Sequence, residues 1–334
     1  MTPIEHLPWH ADAWARFAES RQADRLAHAL LLRGAAGLGK TVFAQRIAAS
    51  LLCPSPQGVG DACGACSACR QHQAGSHPDF HWLAPEEPGR QIRIDAVRGL
   101  IAKSVLSAQP EGYRVGVITP ADALNRSAAN ALLKTLEEPT PRTVLILVSS
   151  HPDRLPGTIR SRCQAITFRI PPAHDAADWL KDHLADYSPD EIRDLLTIAG
   201  GAPLRAVVAA EEDWLGVGKR LVEDLGALKR RDCNPIQLLE KWEELPLTAV
   251  NAGLKRLVND LVRLAAGLAN GSILHAGLQG ELQSLAEGID LRGMYRMADS
   301  LSEADRMAAN NANAQMTLEN LVNCWLQITK PGGR

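Results

Sequence analysis

The segment from Gly34 to Thr41 constrains the fold more than any other part of the chain. It reads Gly-Ala-Ala-Gly-Leu-Gly-Lys-Thr and matches the phosphate-loop pattern G-x-x-x-x-G-K-[ST]. An apolar run from Ala29 to Leu32 precedes it, and a helix-like run to Leu52 follows it. Both flanks are those that the pattern requires, so the chain is expected to contain a strand-loop-helix unit that surrounds phosphate oxygens with backbone N–H groups.

Each residue type in this loop has a physical role in holding a nucleotide. Gly34, Gly37 and Gly39 let the backbone curl tightly enough to approach phosphate oxygens. Lys40 is positioned to neutralise the β- and γ-phosphates, and the Thr41 hydroxyl to hold Mg²⁺. The loop therefore predicts a site for ATP or ADP together with Mg²⁺.

Hydrolysis of the nucleotide needs further residues, and the chain lacks them at the expected place. A Walker-B Asp and a neighbouring acid usually follow a central strand, where they hold the metal and position water. The candidate strand, Arg114 to Ile118, is followed instead by Thr119 and Pro120. Since neither side chain can replace a carboxylate, the sequence predicts nucleotide binding with little turnover.

Other carboxylates nearby leave an alternative open. Asp122 lies three residues beyond the candidate strand and reads as the N-terminal acid of the helical run that follows. Glu137 or Glu138 could approach the nucleotide from a different element, and a hydrolysing ATPase would then remain possible.

Short apolar runs alternate with helical periods from about residue 28 to residue 168, which predicts a parallel sheet covered by helices. Two runs are apolar at nearly every position, as central strands buried on both faces are. The five candidate strands are Ala29–Leu32, Phe80–Leu83, Val115–Thr119, Val144–Val148 and Ile166–Phe168.

Beyond Pro171-Pro172 the strand signals stop, and the remainder reads as helices separated by Gly, Pro and Asn. With 334 residues, about two domains are expected and three small ones are possible. We predict an α/β domain over residues 1–170, a small helical lid over 171–210 and an all-α bundle over 211–334. Two apolar stripes in the bundle fit packing within the chain or against another subunit: Leu254, Leu257, Leu261, Leu264 and Leu268, and Leu318, Leu321, Val322, Trp325 and Leu326.

Four of the seven cysteines are clustered, as Cys53-x9-Cys63-x2-Cys66-x2-Cys69. Four thiolates with intervening glycines are typical of a closed structural Zn²⁺ site, which would tie down the insertion at residues 53–69. An iron–sulfur cluster and uncoordinated thiols remain alternatives. Three nearby histidines are predicted to act in hydrogen bonds or face solvent, not to bind metal: His72, His77 and His81.

Composition excludes several classes of protein. The formal net charge is -2 and the isoelectric point about 6.6, which disfavours a protein held on nucleic acid by bulk charge. No apolar run approaches the ~20 residues of a membrane helix, and the first residues lack a secretory signal. A cytoplasmic protein without membrane contact is therefore expected.

Several motifs together resemble the AAA+ clamp-loader family of bacterial DNA polymerase III, in particular its delta-prime subunits. The resemblance is strong over residues 28 to about 205, and further on it extends only to length and helical character. The motifs are His28-Ala-Leu-Leu before the loop, the four-cysteine insertion, Ser76-His-Pro-Asp79, Ile94-Asp95 with Arg98, Asn130-Ala-Leu-Leu-Lys-Thr-Leu-Glu-Glu-Pro139 and Ser161-Arg162-Cys163.

This resemblance implies a subunit of a heteropentameric ring that contains gamma/tau and delta subunits and loads the sliding clamp onto primed DNA. It implies that Arg162 is an arginine finger acting in trans on a neighbouring gamma/tau ATP site, whereas spacing alone would make it a solvated charge. It places Ser149 or Ser150 at the sensor 1 position and Arg205 at the sensor 2 position, near the nucleotide. The helical bundle would be the collar that joins the ring.

Two other functions compete with this interpretation. A gamma/tau-like motor would need an acid pair after Ile118, which Thr119 and Pro120 do not provide. A zinc-dependent DNA-binding module would bind duplex DNA alone with steep salt dependence, which the near-zero net charge disfavours.

Overall fold

The computed structural model describes residues 6–87, 89–105, 112–267, 279–308 and 314–329. The chain divides into two compact units, Met1–Pro171 and Pro172–Arg334. Each unit is described by itself below. A further division at residue 210, between a lid and a bundle, stays a prediction.

The first unit is built on a parallel sheet whose strands follow the five apolar runs of the sequence. The strand order is β2-β3-β4-β1-β5, so the strand that leads into the phosphate loop has neighbours on both sides. Leu31 of β1 is aligned with Leu147 of β4 and with Ala165 of β5. The strands are β1 (Ala29–Arg33), β2 (Phe80–Leu83), β3 (Arg114–Ile118), β4 (Thr143–Ser149) and β5 (Gln164–Thr167).

Helices cover this sheet and bury its apolar faces. Every residue of β4 is buried, in keeping with its central position in the sheet. One core cluster joins Leu31, Leu147 and Leu132 with residues that pack between the strands and helices. The helices are α1 (Ala11–Gln22), α2 (Lys40–Leu52), α3 (Ser67–Gln73), α4 (Ile94–Val105), α5 (Arg126–Glu137) and α6 (Gly157–Arg160).

The stretch from His151 to Arg162 is not one continuous helix. A 3-10 turn, Pro152–Arg154, is followed by an extended Leu155 and then by α6. The proline at position 156 explains the break, because the residue before a proline is forced out of the helical region. Arg162 therefore lies just after a one-turn helix, on a tight connection to β5.

The second unit is helical throughout its described residues. Its first three helices fall within residues 173–211, and the helices that follow include four of 15 to 19 residues. The two apolar stripes are largely buried within this chain, as at Leu257 and Trp325, while Leu268 lies outside the described residues. The helices are α7 (Ala173–His183), α8 (Pro189–Ile198), α9 (Pro203–Glu211), α10 (Trp214–Arg230), α11 (Pro235–Glu243), α12 (Leu247–Ala265), α13 (Gln279–Ala286), α14 (Leu291–Ala308) and α15 (Ala314–Ile328).

The expected fold class is confirmed: a parallel-sheet module with a phosphate loop, followed by an all-helical part. Within the part of the chain that the structure describes, none of the helices combines the length and apolar character needed to cross a bilayer.

Candidate nucleotide site, cysteine cluster and exposed arginine

The phosphate loop connects the end of β1 to the start of α2, and its glycines are used for their backbone freedom. Gly34, Gly37 and Gly39 have φ angles of +147°, +79° and +78°, which other residues rarely adopt. A β-carbon on Gly34 would collide with the Phe168 carbonyl oxygen on the neighbouring connection after β5. Gly39 precedes the first turn of α2, so the N–H groups of that turn are directed at the loop.

The N-terminal segment, residues 7–10, packs against the phosphate loop. Trp9 Nε1 donates a hydrogen bond to the Leu38 carbonyl oxygen at 3.0 Å, and His10 Nε2 lies 2.7 Å from the same oxygen. Because the partner is an acceptor, His10 carries its proton on Nε2. Burial lowers the pKa of His10 to about 4, so the ring is neutral at physiological pH. A β-carbon on Gly39 would collide with Leu7 Cδ1 and His10 Cε1, and the φ angle of +78° also disfavours any other residue there.

Lys40 is the charged residue of the loop, and its side chain is held inside the pocket. Its Nζ donates to the Ala35 carbonyl oxygen at 2.6 Å and to Ser150 Oγ at 3.0 Å. Burial lowers the pKa of Lys40 to about 8, and the charge of Asp122 partly offsets that effect. Thr41 is exposed, so its hydroxyl is accessible for the Mg²⁺ role assigned to it.

Asp122 belongs to this polar group, although the sequence suggested only a helix-starting acid. Its Oδ1 accepts a hydrogen bond from Ser149 Oγ at 2.6 Å, and its Oδ2 lies 3.6 Å from His151 Nδ1. The Asp122 side chain is 10% exposed. The 3-10 turn Ala121–Ala123 after β3 brings the carboxylate to the carboxyl end of the sheet. Ser149, at the end of the adjacent buried strand β4, is the sequence feature that could have pointed to this contact.

The end of β3 itself offers no carboxylate. Thr119 continues from the strand and donates its backbone N–H to the Leu83 carbonyl oxygen at 2.9 Å, and Pro120 follows. Glu137 and Glu138 were the carboxylates that could reach the nucleotide from another element, and Glu137 instead pairs with Arg162. Glu138 is exposed just beyond the end of α5.

The four clustered cysteines meet between the end of α2 and the start of α3. Their sulfur atoms all lie within 4.8 Å of one another, and those of Cys63 and Cys69 are 3.9 Å apart. A tetrahedral Zn²⁺ with Zn–S bonds of ~2.3 Å requires sulfur atoms about 3.8 Å apart, which is close to this spacing. Backbone N–H groups of Cys63, Cys66 and Cys69 each donate to a cluster sulfur at 3.4 Å. The donor set fits zinc.

The electrostatics of the cluster favour a cation. Backbone N–H groups of Ala65 and Cys66 lower the pKa of Cys63 to about 6. Burial, together with the neighbouring thiols, raises the pKa of Cys69 to about 12. Since neighbouring thiolates repel one another, a bound positive ion would compensate the charge of this cluster.

The insertion that carries the cysteines is anchored to the first unit by polar contacts. Arg46 of α2 forms two hydrogen bonds with the Asp61 carboxylate, at 2.7 and 2.9 Å, and its guanidinium lies 3.8 Å from the Trp14 ring centroid. Arg21 of α1 donates to Ser50 Oγ at 2.7 Å, and Ser50 donates to the Gly60 carbonyl oxygen. No sequence pattern predicted these contacts.

The three nearby histidines do not join the sulfur group among the described residues. His72 is buried and packs edge-on against the Phe80 ring, at 4.6 Å between centroids. His77 Nδ1 accepts the Asp79 backbone N–H at 3.1 Å. His81 is half-buried, and burial lowers its pKa.

Arg162 is exposed at the end of α6, and two acceptors of the same unit contact it. Its Nη2 lies 2.7 Å from Glu137 Oε1, and its Nη1 donates to the Thr158 carbonyl oxygen at 3.1 Å. The next residue, Cys163, is buried in the core cluster. The buried cysteine fixes the backbone while the arginine side chain faces solvent.

Arg205 belongs to the second unit, in the first turns of α9, and is exposed. Its guanidinium carbon lies 5.5 Å from the Trp214 ring centroid. Its assignment to the nucleotide site stays a prediction.

The glycine loop before α2, the parallel sheet and the polar groups at its strand ends define a P-loop α/β protein. The model of the family described as DNA polymerase III, delta subunit, matches residues 9–172. The DNA polymerase III subunit delta′ of Pseudomonas aeruginosa is 35% identical over 97% of this chain and 98% of its own length. The chain therefore belongs to the DNA polymerase III delta′ family.

Two further proteins resemble this chain. The subunit delta′ of Escherichia coli is 37% identical over 62% of this chain and 61% of its own length. A gamma-subunit-related protein of DNA polymerase III from Thermotoga maritima has a solved structure with 17% sequence identity. The structural match covers 94% of this chain and 100% of the Thermotoga maritima chain, with a TM-score of 0.45.

Proposed function

We propose that this chain works in the cytoplasm as a non-motor subunit of the DNA polymerase III clamp loader. In this role it assembles with gamma/tau and delta subunits and helps to load the sliding clamp onto primed DNA. Membership of the delta′ family supports the assembly, and the helices after residue 210 would form its collar. The observation that carries the non-motor role is that β3 continues into Thr119 and Pro120, beside a complete phosphate loop.

The nucleotide site is proposed to bind ATP or ADP and to retain it with little turnover. Lys40 and the N–H groups at the start of α2 would hold phosphate oxygens, and the exposed Thr41 would hold Mg²⁺, which supplies charge neutralisation there. Arg205 is the proposed sensor 2 residue. The cysteine cluster is proposed to bind one structural Zn²⁺, since a closed four-sulfur site leaves no position for a reacting water.

Arg162 is proposed to act on the ATP of a neighbouring gamma/tau subunit. It is exposed, it directly precedes the buried Cys163, and no described contact directs it toward the phosphate loop of its own chain. An arginine finger contributes ~10³–10⁵ in rate at the site that it completes, whereas loss of an exposed ion pair costs less than ~1 kcal/mol of stability.

Reconstitution with gamma/tau and delta subunits tests this role. Arg162→Ala should leave folding and assembly intact, while DNA-stimulated ATP hydrolysis by the complex falls because one site loses its finger. Arg160→Ala is a matched control, since Arg160 is also exposed and also pairs with a carboxylate, that of Asp153 at 3.2 Å. Unchanged hydrolysis with Arg162→Ala would refute the assignment.

Asp122 favours a second candidate function, a hydrolysing ATPase. Its carboxylate is nearly buried at the carboxyl end of the sheet, and its negative charge raises the pKa of Lys40. The purified chain, freed of contaminating ATPases, distinguishes the two functions. Turnover that disappears in both Lys40→Ala and Asp122→Asn would establish the motor, whereas a chain that binds ATP without turnover supports the non-motor role.

A further inference from the structure

Arg162 and Glu137 form an ion pair between two segments that are distant in sequence. The atoms Arg162 Nη2 and Glu137 Oε1 are 2.7 Å apart, and Arg162 Nη1 is bound to the Thr158 carbonyl oxygen at 3.1 Å. The arginine side chain is 37% exposed and the glutamate side chain 51% exposed. The guanidinium is thus held at the surface by an acceptor on each terminal nitrogen.

Buried residues fix the backbone on both sides of this pair. Leu136, next to Glu137, and Cys163, next to Arg162, belong to the same core cluster, together with Ile159 of α6. His28 Nε2 also lies 3.0 Å from the Leu136 carbonyl oxygen, which ties the end of α5 to the residue before β1. Since core packing sets the positions of both backbones, the pair forms between prearranged partners.

The geometry leaves the guanidinium able to bind a second anion. A guanidinium has five N–H donors on three nitrogens, and the contacts with Glu137 and Thr158 are made by the two terminal nitrogens. The one hydrogen bond, to the Thr158 carbonyl oxygen, leaves further donors for phosphate oxygens. The ion pair with Glu137, at 2.7 Å, joins Nη2 to one carboxylate oxygen.

We propose that Glu137 is a positioning residue for Arg162, which holds the guanidinium ready to reach the phosphates of a nucleotide on a neighbouring subunit. This inference rests on the proposed trans role of Arg162. An arginine side chain loses considerable rotamer freedom when it is ordered. The contact with Glu137 already restricts the Arg162 side chain before the subunits meet, so less conformational entropy is lost when it reaches the nucleotide. Its removal is expected to slow ATP hydrolysis in the complex about 3- to 10-fold, much less than removal of the arginine itself.

The experiment compares reconstituted complexes that contain the full chain with Glu137→Gln, Glu138→Gln, Arg162→Ala, or Glu137→Gln together with Arg162→Ala. Glu138 is the matched control, because it is exposed, adjacent, and has no ion pair among the described contacts. Maximal turnover should fall with Glu137→Gln and stay unchanged with Glu138→Gln, while the apparent KM for ATP changes little. In the Arg162→Ala background, Glu137→Gln should have no further effect.

Thermal unfolding of the free chain separates positioning from structural damage. The Glu137→Gln midpoint should equal that of the unaltered chain, because exposed pairs contribute little to stability. Where Arg162→Ala slows hydrolysis, two results would overturn the inference. One is unchanged or faster turnover with Glu137→Gln, and the other is a loss of turnover from Glu137→Gln that is equally large in the Arg162→Ala background. If Arg162→Ala itself has no effect, the proposed function fails, and this inference fails with it.

Discussion

The protonation of Lys40 should couple the stability of the first unit to pH. Burial lowers its pKa from 10.5 to about 8 in the folded chain. Between these two values the unfolded chain binds more protons than the folded chain, so the free energy of unfolding increases with pH. This behaviour is opposite to that of a lysine stabilised by an ion pair, whose contribution would be lost as pH rises.

The size of the effect follows from the difference between the two pKa values. At ~1.4 kcal/mol per pKa unit, a fall from 10.5 to about 8 corresponds to roughly 3 kcal/mol. Water that reaches the open loop reduces this to roughly 2 kcal/mol. Between pH 7 and pH 10, the free energy of unfolding should therefore rise by about 2 kcal/mol through Lys40 alone.

The assay is urea unfolding of the full chain at pH 7 and at pH 10, compared with Lys40→Met, which cannot take up the proton. Other groups titrate over the same range, so the quantity of interest is the difference between the two proteins. From pH 7 to pH 10, the free energy of unfolding of the unaltered chain should rise by about 2 kcal/mol relative to that of Lys40→Met. Lys134→Met is the control, because Lys134 lies exposed on α5, and its difference from the unaltered chain should stay constant.

Two results would refute the reasoning. Parallel behaviour of Lys40→Met and the unaltered chain would show that Lys40 keeps an ordinary pKa. If rising pH instead lowers the free energy of unfolding of the unaltered chain relative to Lys40→Met, the contacts of Lys40 with Ala35 and Ser150 outweigh the effect of burial.

Three further predictions concern other parts of the chain. Elemental analysis should find about one zinc ion per chain after purification without added metal, and Cys66→Ser should lose the zinc and lower the thermal midpoint of the first unit. Asp122→Asn should lower the pKa of Lys40 further, since the carboxylate raises it, so nucleotide affinity measured by calorimetry should start to decline at a lower pH. Gly253→Ala should reduce the free energy of unfolding by about 1–3 kcal/mol in a urea titration, because the new β-carbon would lie 2.5 Å from Leu221 Cδ1, and an unchanged midpoint would contradict the packing.

The sequence predicted the strands and the loop because local patterns determine them. Runs such as Val144–Val148 are apolar at every position, as expected of a strand buried on both faces, and this run forms the fully buried β4. The glycine spacing of Gly34 to Gly39 likewise has one backbone explanation, positive φ angles before a helix. The clustered cysteines were also recognisable from spacing alone.

Contacts between distant segments were not predictable in the same way. Asp122 does lie in the first turn of the 3-10 helix that follows β3, in keeping with its interpretation as a helix-starting acid. Its hydrogen bond with Ser149 was not predicted, because that contact depends on how the turn folds back beside β4. The proximity of Glu137 to Arg162 depends on how α5 and α6 share a core. No periodicity or spacing in the sequence encodes such a pairing.

The backing of the phosphate loop by the N-terminal segment has a practical consequence for truncated proteins. A chain trimmed to begin at Ala11 would keep every strand and the entire motif from Gly34 to Thr41. It would lose the two ring donors to the Leu38 carbonyl oxygen and the buried Leu7 behind Gly39. A pattern search would score both versions identically, while calorimetry with ADP would tell them apart. Domain dissection of this protein should therefore preserve the residues ahead of α1.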